Sequence, residues 1–138
     1  MAAPLDVAPH PHPPPPAALH HVALGTRDVE ALARFYRDLL GLPEVQRHQD
    51  EQGQLRSIWL ELGGTLLMLE RTQEAPRHVQ GVGSGPFLLA FRVTREARGQ
   101  LERELSARGH AIEARTGFTS YSRDPDGNRF AISHYPEP

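Results

Sequence analysis

The feature that most constrains the fold is a strand-then-helix unit that occurs twice in the sequence. In the first copy, residues 19–25 carry apolar side chains at both alternating positions, which is typical of a buried strand. A helical pattern follows at 28–41, with aspartate as N-cap at its start and a terminating glycine at its end. The second copy repeats this order with a strand at 87–93 and a helical pattern at 94–109. The sequence therefore predicts two copies of one module.

Three further strands are predicted after each helix, so that each module has the order βαβββ. The six strands are placed at 45–47, 57–62, 65–70, 110–115, 118–123 and 129–135. Gly63 and Gly64 form a two-residue hairpin turn, and residues 124–128 form the last turn of the second module. The predicted divisions are module one at 19–70, a linker at 71–86 and module two at 87–135, within a single domain at 19–138.

The N-terminal segment, residues 1–18, has a different composition from the rest of the chain. It contains seven of the 13 prolines and few residues that could form a buried face. We expect it to be an extended or disordered Pro-rich tail. His10 and His12 lie in this tail, where solvated imidazoles are a simpler interpretation than a metal-binding tract.

Composition excludes several classes of function. The 138 residues carry a net charge of −2 and no cluster of basic residues, which argues against nucleic acid as a partner. No apolar run approaches the roughly 20 residues that cross a bilayer, and no signal-peptide pattern opens the chain. We therefore expect a soluble cytoplasmic protein with no membrane partner. Because the chain has no cysteine, any metal site must use His, Asp, Glu or water.

Three motifs resemble those of the vicinal oxygen chelate superfamily. They are the strand His21-Val22-Ala23-Leu24, the helix with Phe35-Tyr36 that ends in Leu39-Leu40-Gly41-Leu42, and the turn Arg123-Asp124-Pro125-Asp126-Gly127-Asn128. This superfamily includes glyoxalase I, extradiol dioxygenases, fosfomycin-resistance enzymes and bleomycin-resistance proteins. The resemblance covers residues 19–135 and implies an α+β fold, in which two βαβββ modules form a curved, incompletely closed barrel.

The resemblance also locates the positions at which the family's enzymes bind a divalent metal. Their ligands come from the first and last strands of each module. His21 occupies the first of these positions and matches the family's histidine. The other three positions hold Met68, Leu88 and Ala131, where the enzymes have glutamate or histidine. The resemblance thus implies a degenerate metal site that retains one ligand.

Strand alternation predicts which other side chains share the face that lines the cup. Residues two apart point to the same side of a sheet. On this basis the face contains His21, Ala23, Leu66, Met68, Glu70, Leu88, Ala90, Arg92, Arg129, Ala131 and Ser133. Glu70 is the only carboxylate among them. It either joins His21 as a metal ligand or forms an ion pair with Arg92, and the ion pair is the favoured interpretation.

Other candidates have structural interpretations that compete with functional ones. Trp59 is expected to pack in the core more readily than to stack on a ligand. Phe118, Tyr121 and Met68 either line an apolar pocket or pack in the core. His48 and His78 are predicted in loops, and His134 is predicted on the opposite face of its strand.

The function expected from the sequence is recognition of a small organic molecule in the cup, without a conventional four-ligand metal. The residues expected to contact it are His21, Glu70, Arg92 and Ser133 on a polar side, with Met68, Leu88 and Ala131 as an apolar floor. Bleomycin-resistance proteins bind their drug between two subunits, so the resemblance implies a homodimer. No cofactor is expected.

The alternative is an enzyme, namely a glyoxalase-like lyase, isomerase or extradiol dioxygenase. In this interpretation His21 and Glu70 hold a divalent metal that polarises two neighbouring oxygens of the substrate. Catalytic residues beyond these two are not assigned. The alternative is weakened because a catalytic zinc site usually has about three protein ligands.

Overall fold

The computed structural model describes Ala3 and residues 12–138. Most of the predicted disordered tail at 1–18, including His10, lies outside the described residues. The elements are β1 (His21–Thr26), α1 (Val29–Leu40), β2 (Glu44–Gln49), β3 (Leu55–Leu62), β4 (Thr65–Arg71), β5 (Leu89–Arg92), α2 (Arg95–Ala107), β6 (Ala114–Arg115), β7 (Thr119–Arg123) and β8 (Arg129–Ser133).

The strands form two four-stranded sheets, one from each βαβββ module. Sheet one has the order β1-β4-β3-β2 and sheet two the order β5-β8-β7-β6. In each sheet the first and last strands of the module pair in parallel, and the other pairs are antiparallel. The α+β fold of two modules is therefore confirmed. Within the described part of the chain no strand ladder joins β1 to β5, so the two sheets are not closed into a barrel.

Helix α1 joins the two modules in one hydrophobic core. Asp28 caps the helix by accepting a hydrogen bond from the backbone N–H of Ala31 at 3.0 Å, and Gly41 ends it in the left-handed conformation. Between these ends, Phe35 packs edge-on against Phe130 of sheet two, with 5.8 Å between ring centroids. The same helix also packs on β3 and β4 of sheet one. The predicted helix is thus confirmed, and it fixes the position of one module on the other.

Helix α2 is attached to sheet two by Arg98, a contact that the sequence did not reveal. The Arg98 guanidinium donates to the Ser120 hydroxyl at 2.7 Å and to the carbonyls of the turn before β7. It also donates to Nε2 of His134, which is buried. His134 therefore lies on the helix side of sheet two, as predicted.

Most strands differ from the predictions by one or two residues in length, whereas β2, β5 and β6 differ by three or four. Strand β6 is reduced to Ala114–Arg115 because the residues before it follow the end of α2, where the backbone N–H of His110 donates to the Leu105 carbonyl. Strand β2 is longer than predicted and includes His48. None of the helices in the described part of the chain is long and apolar enough to cross a membrane.

Candidate functional site

The strand register places the predicted site residues of sheet one on its open face, the face away from the helices. His21 lies opposite Leu66, Ala23 opposite Met68, and Gly25 opposite Glu70. His21 and Glu70 are therefore four residues apart along the strands, about 13 Å at about 3.3 Å per residue. One chain does not bring these two side chains together around a single ion.

The open face of sheet one also contains the rings of His48 and Trp59. The sequence had placed His48 in a loop and Trp59 in the core. His48 pairs with Ser57 in the ladder between β2 and β3, and its ring lies 4.8 Å from the ring of Trp59. The loop position predicted for His48 is wrong because β2 extends to Gln49. Trp59 is half-buried on the open face and does not belong to the core. Within the described residues, His48 Nε2 and Trp59 Nε1 are buried and have no hydrogen-bond partner.

Sheet two presents a more strongly basic open face. Arg92 lies opposite Ser133, whose hydroxyl is 2.7 Å from that of Thr119. Arg129 stacks over the ring of Tyr121, with 4.5 Å from its guanidinium carbon to the ring centroid. Ala131 belongs to the same face but is fully buried, so the apolar floor predicted at this position is covered by its neighbours.

A cavity of about 380 Å³ lies between β1 and the start of β5. His21 and Leu88 both line it, so the structure brings together two residues that the sequence assigned to one site. Glu70, Arg92 and Ser133 do not line this cavity. Arg92 instead borders a larger cavity of about 1020 Å³ between the C-terminus of α1 and the N-terminus of α2.

The predicted ion pair between Glu70 and Arg92 is not formed. These residues belong to different sheets, and no ion pair among the described residues involves either of them. Both charges are thus left for solvent or for a ligand. The favoured interpretation of Glu70, an ion pair with Arg92, is therefore wrong.

The donor atoms at the family's four metal positions do not fit a divalent cation. Leu88 and Ala131 have no donor atom, and the thioether of Met68 is a soft ligand, unlike the imidazoles, carboxylates and waters that Zn²⁺ and Mn²⁺ favour. Between residues 12 and 138, no group of three or more His, Asp or Glu side chains converges for metal binding.

His21 is exposed and makes one short contact through its ring. Its Nδ1 atom lies 2.9 Å from Nδ1 of His20, and the two rings are nearly perpendicular. One of these nitrogens donates and the other accepts, since two bare lone pairs would repel each other. The Nε2 atom of His21 therefore remains available at the cavity.

The turn at 124–128, which leads into β8, is held by the buried carboxylate of Asp124. The sequence did not indicate that this carboxylate contacts α1. Asp124 is 3% exposed and accepts a hydrogen bond from the Tyr36 hydroxyl at 2.6 Å. Burial raises the pKa of Asp124, although the bonds from Tyr36 and Asn128 act in the opposite direction. Burial, followed by the charge of Asp124, raises the pKa of Tyr36 well above its ordinary value. This cluster positions Asn128 and Arg129, which both line the cavity.

Comparisons with known proteins agree with this fold. The model of the Glyoxalase/Bleomycin resistance protein/Dioxygenase superfamily matches residues 18–132. A lactoylglutathione lyase from Agrobacterium tumefaciens is 25% identical, with 86% of this chain and 94% of that chain covered and a TM-score of 0.62. A glyoxalase/dioxygenase from Nostoc punctiforme is also 25% identical, with 83% and 88% covered and a TM-score of 0.69.

A more distant structure shares the fold alone. It is a mutant of the fosfomycin resistance protein FosX from Listeria monocytogenes, in complex with Mn(II) and 1S,2S-dihydroxypropylphosphonic acid. The identity is 16%, with 86% of this chain and 92% of that chain covered and a TM-score of 0.71. None of the curated proteins matches the sequence.

Proposed function

The chain belongs to the glyoxalase/bleomycin resistance protein/dioxygenase superfamily, and we propose that it binds a small organic molecule without a metal at the family's four ligand positions. The observation that carries this proposal is the chemistry of Met68, Leu88 and Ala131 at three of those positions. A divalent cation would gain only His21 there, and one imidazole leaves most of its coordination shell to water.

The proposed activity is capture of the molecule, as in a bleomycin-resistance protein, and involves no chemical transformation. A pocket can bind through shape, apolar contact and a few placed polar groups, without an electrophilic metal. The separation of His21 from Glu70 supports this choice because the enzymatic alternative needs both at one ion. The cavity lined by His21 and Leu88 offers the mixture of apolar and polar groups that capture requires.

Metal analysis tests the proposal directly. We expect the full chain, purified without a histidine tag, to contain far less than one equivalent of Zn, Mn, Ni or Fe. Adding these ions is expected to change the melting temperature equally in the wild type and in His21→Ala. His12→Ala is the matched control, because His12 is an exposed imidazole of the N-terminal tail. Near-stoichiometric metal that is lost in His21→Ala and kept in His12→Ala would overturn the proposal.

We also propose that two copies of the chain form a homodimer. Strands β1 and β5 are the edges of their sheets, and His21, Ala23, Ala90 and Arg92 are exposed on the open faces beside these edges. Unpaired edges and exposed faces of this kind are commonly covered by a second chain. Light scattering after size exclusion should give twice the 15.4 kDa mass of one chain. A mass of one chain at every concentration would contradict this expectation.

A further inference from the structure

We propose that the cavity between β1 and β5 binds a small organic oxyanion, such as a carboxylate or phosphonate, through Arg129 and Arg77. This inference rests on the proposed function and names the chemical class of its ligand. Its basis is the charge of the cavity walls. Arg77, Arg129 and His21 line the cavity, and within residues 12–138 no Asp or Glu does so. The potential in such a concave site favours a negative group.

Arg129 has unused hydrogen-bonding capacity. Its Nε is buried without a partner, and its side chain donates no hydrogen bond within the described residues. The nearest carboxylate, Glu113, lies 3.7 Å from this atom but is 2.7 Å from Nε of Arg123. Because one carboxylate is shared by two guanidiniums, the three side chains together retain a net positive charge.

The Tyr121 ring holds the Arg129 guanidinium in a defined position through a cation–π contact. A guanidinium fixed in this way loses little conformational freedom when it binds a ligand, and its planar fork matches the two oxygens of a carboxylate. Arg129 is therefore better suited to an oxyanion than a flexible surface lysine would be.

Arg77 approaches the cavity from the linker between the modules. Its side chain is 84% exposed, and its one ion pair among the described residues, with Glu74, is 3.5 Å long. Exposed pairs of this kind contribute little to stability, so Arg77 can exchange Glu74 for a ligand at low cost. We infer that it adds a second positive charge when the ligand is bound.

The rest of the cavity suits an apolar body attached to the anionic group. Val79, Phe87, Leu88 and Leu89 contribute to its wall. Its volume of about 380 Å³ is near the lower end of the range for small-molecule sites, roughly 300–1,000 Å³. Leu88 stands where the family's enzymes have a metal-coordinating residue. In this chain, therefore, arginine side chains supply the positive charge that a metal ion would supply, and Leu88 supplies apolar contact with the bound molecule.

Four matched aromatic probes test this inference on the metal-free full chain. Benzoate and phenylphosphonate carry the anionic groups, benzamide is neutral, and benzylammonium is cationic. In calorimetric titrations at low ionic strength, we expect both anions to bind at least about tenfold more tightly than the other two. The ratio between the two anions shows which oxyanion geometry the site favours. Added salt should weaken the binding of both anions.

Arginine variants identify the group responsible. Arg129→Gln should weaken benzoate binding by about tenfold or more, and Arg77→Gln by a smaller factor. Arg129→Lys, which keeps the charge, should retain more affinity than Arg129→Gln. Arg103→Gln is the matched control because Arg103 is exposed on α2 and lies outside the cavity. Circular dichroism confirms that each variant is folded before its affinity is compared.

The outcomes separate this inference from the proposed function. Benzamide binding as tightly as benzoate, or Arg129→Gln and Arg77→Gln both binding benzoate like the wild type, would overturn the oxyanion site. Preferential binding of benzylammonium by the metal-free protein would also overturn it while leaving small-molecule capture intact. Benzoate binding that appears only after Zn²⁺ or Mn²⁺ is added would contradict both proposals.

Discussion

Replacement of Asp124 by alanine is expected to lower the free energy of unfolding by about 3–5 kcal/mol. The Asp124 carboxylate is buried and accepts four hydrogen bonds. Three come from the turn that begins β8, donated by the backbone N–H groups of Asp126 and Asn128 and by the Asn128 amide. The fourth comes from the Tyr36 hydroxyl of α1. Alanine would leave all four donors unpaired, and urea unfolding would report the loss as a lower midpoint at an unchanged slope.

Two milder substitutions show how much of this loss of stability comes from the hydrogen bonds within the turn and how much from the bond to α1. Tyr36→Phe removes one donor and keeps the turn, so it should cost only about 1–2 kcal/mol. Asp124→Asn keeps an acceptor for the two backbone donors but places an amide N–H₂ toward the Tyr36 hydroxyl, so an intermediate loss is expected. If Asp124→Ala were no more destabilising than Tyr36→Phe, the carboxylate would not be what holds the turn.

The same residue gives the stability a dependence on pH. Because burial raises the pKa of Asp124 in the folded protein, folding disfavours its ionised form relative to the unfolded chain. This contribution to stability is therefore present at low pH and is lost as pH rises from the ordinary carboxyl pKa through the raised value. Asp124→Asn should remove this contribution from the measured pH profile of stability.

The parts of the fold that follow from local patterns could be predicted from the sequence. Asp28 and Gly41 mark the ends of α1 because capping and the left-handed conformation depend on residue type. Gly63 and Gly64 mark the hairpin between β3 and β4, where both have positive φ. The repetition of these local patterns was sufficient to predict two βαβββ modules.

The site could be predicted only in part, because it depends on register and on contacts between distant segments. Alternation correctly grouped His21 and Met68 on one face, but it did not show that Glu70 lies four residues along the strands from His21. His48 was missed because β2 pairs irregularly with β3, with shifts in register at both ends. Arg77 lies in the linker, which has no periodic pattern of apolar residues. Its position at the cavity therefore could not be predicted from the sequence.

Replacement of Arg98 by alanine is the second substitution for which we expect a large effect, a loss of roughly 3 kcal/mol. The Arg98 side chain is 13% exposed, and all five of its N–H groups have acceptors within 3.2 Å. Its acceptors are the carbonyls of Thr116, Gly117 and Thr119, the Ser120 hydroxyl and Nε2 of His134. Alanine would leave buried acceptors unpaired and release the turn before β7 from α2.

Arg98→Lys should recover little of this stability, because an ammonium has three donors and no planar fork. Arg108→Ala, at the C-cap of the same helix, is the matched control. Its ion pair with Glu104 is exposed, so we expect a loss below about 1 kcal/mol. Hydrogen exchange should show faster opening of the Thr116–Thr119 turn in Arg98→Ala than in Arg108→Ala. Equal stability and equal exchange in the two variants would show that this arginine does not anchor the helix to sheet two.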